Sequence, residues 1–151
     1  MYQYQRIMVP VDDSQTSLQA LKEACSLAQA IDATVVAVHV VDLGQFDWGA
    51  PGFTDAAALR KAVENTGVKV LKRASEELKK VGVKHETLIL ESAGDRIADL
   101  LVEQATEEKC DLIVMGTHGF SGLMHLLLGS VAEGVIRKSN VPVLLVRRKD
   151  D

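Results

Sequence analysis

Apolar positions along this chain alternate between two rhythms: short continuous runs, and longer stretches in which they recur three and four residues apart. Residues 6–11 form an apolar run closed by Pro10 and the acidic pair Asp12 and Asp13, which predicts a buried strand ending in a loop. Leu18, Leu21, Cys25, Ala28 and Ile31 then fall on one face of a helix. Two caps compete for its start: Ser14, and Thr16, which with Gln19 would make a capping box. Residues 34–41 are rich in β-branched side chains and apolar except for His39, as expected of a strand covered on both faces. Gly44, Gly49, Pro51 and Gly52 mark residues 42–54 as a surface loop.

The helical period resumes through Leu59, Val63, Val70, Leu71, Ala74, Leu78 and Val81, with Gly67 weakening its middle and Gly82 placed to end it. Residues 85–90 predict a third strand, Ile97, Leu100, Leu101 and Ala105 a third helix, and residues 109–115 a fourth strand. Ser130 opens a short helix with Val131, Val135 and Ile136 on its face, and residues 142–146 make the last strand. Five apolar strands alternating with four helices predict an α/β fold, a doubly wound and mostly parallel sheet with helices on both faces. In such sheets ligands bind beyond the carboxyl ends of the strands, where the strand order reverses. Three segments therefore carry the functional question: residues 10–12, residues 40–42 and the long connection after Met115.

Composition narrows the possibilities. The 151 residues match one domain, 1–151, and no linker, low-complexity tract or internal repeat interrupts them. Hydrophobic residues at 47% and charged residues at 25% are ordinary for a folded globular chain. A net charge of -4 gives no general attraction to nucleic acid or anionic lipid, so neither nucleic acid nor membrane is expected as a partner. Residues 1–14 lack the apolar segment of a signal peptide, and no stretch is long enough to span a bilayer. Cys25 and Cys110 are too few and too scattered for a disulfide framework or a metal knuckle, and are read as reduced thiols of a cytoplasmic protein.

The chemistry lies after the fourth strand. Gly116, Thr117, His118 and Gly119 are followed, nine residues on, by Gly129 and Ser130 at a helix start. A phosphate tail needs backbone N–H groups turned toward it, and glycine allows positive φ and close approach. Gly116 and Gly119 suit that role. Gly129 and Ser130 sit where a helix presents its unpaired N–H groups and positive dipole end, a term worth only about 0.3–1 kcal/mol when exposed, so several contacts must act together. Asp12, at the mouth of the first strand, suits ribose hydroxyls, or a phosphate by way of Mg²⁺. Glycine after a strand and serine before a helix are common turn and cap chemistry. Their combination, in a connection longer than compact domains usually use, is more specific.

The motif Gly116-x2-Gly119-x9-Gly129-Ser130, followed by Val131 and closed by Pro142-Val143-Leu144-Leu145-Val146, strongly resembles the universal stress protein family. The likeness runs from Val9-Pro10-Val11-Asp12 through His39-Val40-Val41-Asp42 to Arg147. The resemblance implies strand order 3-2-1-4-5, ATP in the crevice between strands one and four, a homodimer, and the ATP-binding rather than the non-binding subclass. It assigns adenine and ribose contacts to Pro10, Val11, Asp12, Val40 and Met115. Phosphate contacts go to Gly116, His118, Gly119, Gly129, Ser130 and Val131. Many relatives carry Arg or Lys where this chain has Phe120 and Met124. Charge balance then falls to N–H groups, Mg²⁺ and His118 or His125, and micromolar affinity is expected.

Other residues have plainer readings. His39 is expected to be a satisfied core histidine, and the histidines lack ligand-spaced partners for zinc. Leu123, Leu126, Leu127 and Leu128 are expected to pack against the domain or a second copy, and Trp48 and Phe53 to pack on the surface. Residues 142–146 form an apolar edge in the implied order, which invites antiparallel pairing of two copies. Three functions compete. A nucleotide-binding stress or signalling module with slow or absent hydrolysis fits best, because no catalytic base is visible. An ATPase or adenylate-forming enzyme is the alternative, yet a Walker A loop would need Lys where Val131 stands. A phosphorylated receiver would need an acceptor Asp and a Lys where Glu91-Ser92 and Arg147 stand.

Overall fold

A computed structural model describes residues 3–45, 55–93, 96–118 and 128–148. The elements run β1 (Arg6–Pro10), α1 (Gln15–Ile31), β2 (Thr34–Asp42), α2 (Ala56–Lys80), β3 (His85–Ser92), α3 (Ile97–Glu107), β4 (Leu112–Gly116), α4 (Ser130–Lys138) and β5 (Val143–Val146). The five strands form one sheet in the order β3-β2-β1-β4-β5, and every pairing is parallel. The expected architecture is therefore the one observed. No helix among the described residues is long and apolar enough to cross a membrane.

The central strand shows why its sequence does not alternate. Ile7 and Val9 of β1 point into a core shared with α1 and α2, whereas Met8 points into a second core shared with α3 and α4. All three are fully buried, each contributing on the order of 1.5–3 kcal/mol from removal of apolar surface. Both faces of the sheet are thus occupied, and β1 ends between two helical layers.

Helix faces differ in detail from the sequence expectation. Ser14, not Thr16, caps α1: its Oγ accepts the Ser17 N–H at 3.1 Å. Thr16 is buried in the first turn, and the packed stripe runs through Ala20, Leu21, Ala24, Cys25 and Ala28, leaving Leu18 43% exposed. The small residues set this phase, because they let the helix approach the sheet more closely than a stripe of leucines would. Val81 and Ile136, both expected on buried faces, are exposed, while Val83, Ala132 and Val135 are buried.

Glycines explain two of the junctions. Gly82 has φ +70 and reverses the chain after α2, as its position predicted. Gly67 does more than weaken α2: a Cβ there would stand 2.8 Å from His39 Cδ2, so the bare backbone lets α2 settle on β2. β4 begins at Leu112 rather than 109 because Lys109 takes a left-handed φ of 56 and, with Cys110, closes the end of α3 onto Thr106 O and Ala105 O.

Candidate functional site

β1 lies between β2 and β4, so the strand order reverses at its carboxyl end. There the β1–α1 turn is fixed by reciprocal bonds. The Asp12 N–H donates to Ser17 Oγ at 2.9 Å, and Asp12 Oδ1 accepts the Ser14 N–H at 2.7 Å. Asp12 Oδ2 has no partner among the described residues.

A cleft opens over this turn, lined by Pro10, Asp12, Ser17, Met115, Gly116, Thr117, His118, Gly129, Ser130, Val131 and Ala132. A second crevice continues from it along β2, lined by Asp12, His39, Val40, Val41, Asp42, Val63, Thr66 and Ile97. Asp12 belongs to both and joins them.

The structure thus gathers nine of the residues singled out in the sequence: Pro10, Asp12, Val40, Met115, Gly116, His118, Gly129, Ser130 and Val131. Val11 is different. Its side chain packs in the core beneath α1 and α2, its N–H donates to Val38 O and its carbonyl accepts from His39 Nδ1, both at 2.8 Å. Val11 supports the turn without lining either part of the cleft. Gly119, Phe120, Met124, His125, the leucines 123, 126 and 127, Trp48 and Phe53 lie outside the described residues.

The described glycines serve close approach, not unusual dihedrals. Gly82 is the one glycine with positive φ among the described residues, so the expectation of positive φ at Gly116 is corrected. A Cβ at position 116 would stand 2.5 Å from Thr16 Cγ2 and 3.2 Å from His118 O. Gly129 has φ -74 and ψ 159, open to any residue, but a Cβ there would stand 3.0 Å from Thr117 O.

The N–H of Gly129 is already committed, donating to Thr117 O at 2.7 Å. The donors left over are one step further on. α4 has no side-chain cap, its first internal bond runs from Glu133 N to Gly129 O, and the N–H groups of Ser130, Val131 and Ala132 have no acceptor among the described residues. Beside them, His118 Nδ1 lies 3.1 Å from Thr117 Oγ1, while Nε2 is buried without a partner among the described residues. Among the described residues Asp12 is the one carboxylate lining the part beside α4, Asp42 joins it along β2, and no Lys or Arg lines either part.

Ser17, Thr117 and Ala132 were not anticipated. Ser17 could have been found from its position three residues after the capping Ser14, and Ala132 from its place in the first turn of α4. Thr117 has no sequence signal beyond its neighbours, since its part depends on the approach of Gly129.

The model of the universal stress protein family matches residues 3–147. This chain belongs to that family. The universal stress protein MJ0531 of Methanocaldococcus jannaschii is 40% identical over 145 residues, covering 96% of this chain and 83% of that protein. Among solved structures, a universal stress protein in complex with cAMP is 31% identical with a TM-score of 0.65, covering 97% of this chain and 98% of the other. The family member from Archaeoglobus fulgidus in complex with dAMP is 27% identical with a TM-score of 0.66, covering 96% and 99%.

Proposed function

We propose that this universal stress protein is an ATP-binding stress-response or signalling module whose nucleotide state is read by partners through conformation or dimerisation. The observation that carries the reading is the set of donors left unsatisfied around one cleft. Three N–H groups at the start of α4 and the buried Nε2 of His118 converge where Gly116 and Gly129 keep side chains away. A buried donor without a partner costs about 1–3 kcal/mol, and an anion recovers that cost. In the tautomer in which the Thr117 hydroxyl donates to Nδ1, Nε2 carries the proton and serves as such a donor. Relatives in complex with cAMP and dAMP share the adenine nucleotide as their ligand class.

On this reading the phosphates lie against Gly116, His118, Gly119, Gly129, Ser130 and Val131, with Ala132 added. The nucleoside extends along the crevice of Asp12 and Val40, between Pro10 and Met115. No group of three metal-ligating side chains gathers among the described residues. Magnesium therefore arrives on the nucleotide, neutralising phosphate charge, with Asp12 Oδ2 as the protein oxygen at hand. Hydrolysis is slow or absent, because among the described residues the part of the cleft beside α4 offers neither a second carboxylate nor a Lys or Arg to orient water and stabilise the transferring phosphoryl group.

The test is to heat-denature purified protein, identify any released nucleotide, and titrate MgATP while following thermal melting. Ligand at 100 times its dissociation constant stabilises the native state by about 2.7 kcal/mol. A melting curve that MgATP does not move would sink the reading. Rapid, Asp12-dependent phosphate release over many turnovers would replace the module with an ATPase.

A further inference from the structure

A second constellation lies away from the nucleotide cleft, between α2 and the edge strand β3. Ser75 Oγ lies 2.8 Å from His85 Nε2, and His85 Nδ1 lies 2.9 Å from the carbonyl oxygen of Val83. The turn at Gly82, with its φ of +70, brings His85 back over a serine ten residues earlier. A carbonyl only accepts, so Nδ1 carries the hydrogen and the neutral ring presents its lone pair at Nε2. The Ser75 hydroxyl is then the donor. This is the tautomer and order of groups that nucleophilic catalysis needs: hydroxyl, base, and a third group orienting the base. A serine inside a helix ordinarily bonds the carbonyl one turn back, whereas this one is turned toward the imidazole.

Ser75 lines a groove, and His85 stands behind it. Its apolar wall is Val68, Leu71 and Ile89, with Val68 53% and Ile89 37% exposed, and Lys72 and Lys79 stand one turn either side of Ser75. We propose that Ser75 and His85 form a second, hydrolytic site that transfers the acyl group of short aliphatic esters to water.

Ser75 Oγ attacks the ester carbonyl as its proton passes to His85 Nε2, in a groove whose charged lining is Lys72 and Lys79 against the single carboxylate of Glu76, a net positive setting for the developing oxyanion. The carbon–alkoxide bond breaks, the alkoxide takes the proton from Nε2, and the acyl group stays on Ser75. Water then attacks the acyl carbonyl, giving its proton to His85, and the carboxylic acid leaves as Ser75 recovers its hydrogen. The sum is ester plus water to acid plus alcohol, with no other reactant.

The experiment follows p-nitrophenyl butyrate hydrolysis by the full chain and maps the butyryl adduct by mass spectrometry after acid quench. The expected result is an adduct on Ser75, with hydrolysis falling about a hundredfold in Ser75→Ala and in His85→Gln while thermal melting shows both folded. Ser75→Cys should still take the adduct, as a thioester, which preserves the test if the alanine variant does not fold. An adduct confined to lysines or to other histidines, no adduct at all, or hydrolysis by folded Ser75→Ala within twofold of the parent would overturn the proposal.

Discussion

The methyl group of Thr16 fills the space that a side chain at position 116 would require, with Thr16 Cγ2 only 2.5 Å from where a Cβ on Gly116 would stand. The first turn of α1 and the last residue of β4 are therefore fitted to one another across the base of the cleft. Gly116→Ala should destabilise the fold by about 1–3 kcal/mol through overpacking. Adding Thr16→Ser, which removes the methyl, should restore most of that loss. Denaturant unfolding of the three variants measures it. Equal stability of Gly116→Ala and the double variant would refute the steric account.

Gly129 makes the opposite case. Its dihedrals suit alanine, so Gly129→Ala carries no backbone strain, but its Cβ would press on Thr117 O at 3.0 Å and disturb the 2.7 Å bond that sets the start of α4. Stability should change little, while MgATP affinity falls about tenfold, equivalent to about 1.4 kcal/mol. Calorimetric titration beside a melting curve separates the two effects.

The identity of the α1 cap can be read from stability alone. Ser14→Ala removes the oxygen that accepts Ser17 N–H and should cost about 1 kcal/mol, whereas Ser14→Thr should retain most of the cap. Equal stability of Ser14→Ala and the parent in urea unfolding would count against this assignment.

Burial pushes the Cys110 thiol up to about 11, from an ordinary value of 9.0. Below pH 9 the thiol is neutral in both folded and unfolded chains. Above it the unfolded chain ionises first, so this contribution to stability is lost as pH rises from about 9 toward 11. A thiol reagent at pH 8 should modify Cys110 slowly in the native protein and rapidly in denaturant. Fast labelling under native conditions would show the thiol to be accessible.

β5 is an edge of the sheet, and Leu144 on it is 43% exposed. If two copies pair through this strand, Leu144→Lys should shift the protein from dimer to monomer without lowering its MgATP response. Sedimentation of the two proteins decides it, and an unchanged dimer would move the interface elsewhere.

Much of this molecule is written locally. The buried runs around Ile7, Val36 and Ile113 specify strands without reference to anything distant, and Gly82 specifies the end of α2 because few other residues take its φ. The motif from Gly116 to Ser130 was likewise legible, since its spacing is a property of the chain. Which face of each helix is buried was less so. Leu18, Val81 and Ile136 follow the helical period yet stay in water, because small residues such as Ala20, Ala24 and Ala132 decide how closely a helix can approach the sheet.

The sequence by itself determined the succession of strands and helices and the position of the glycine segment, since these depend on side-chain periodicity and backbone freedom within a few residues. Tertiary structure alone decided what the glycines are for, that Gly129 spends its N–H on Thr117, and that Ser17, Ala132 and the pair Ser75 and His85 stand where they do. Those facts depend on distances between different elements of the fold, and such distances are fixed only when both faces of the sheet are packed.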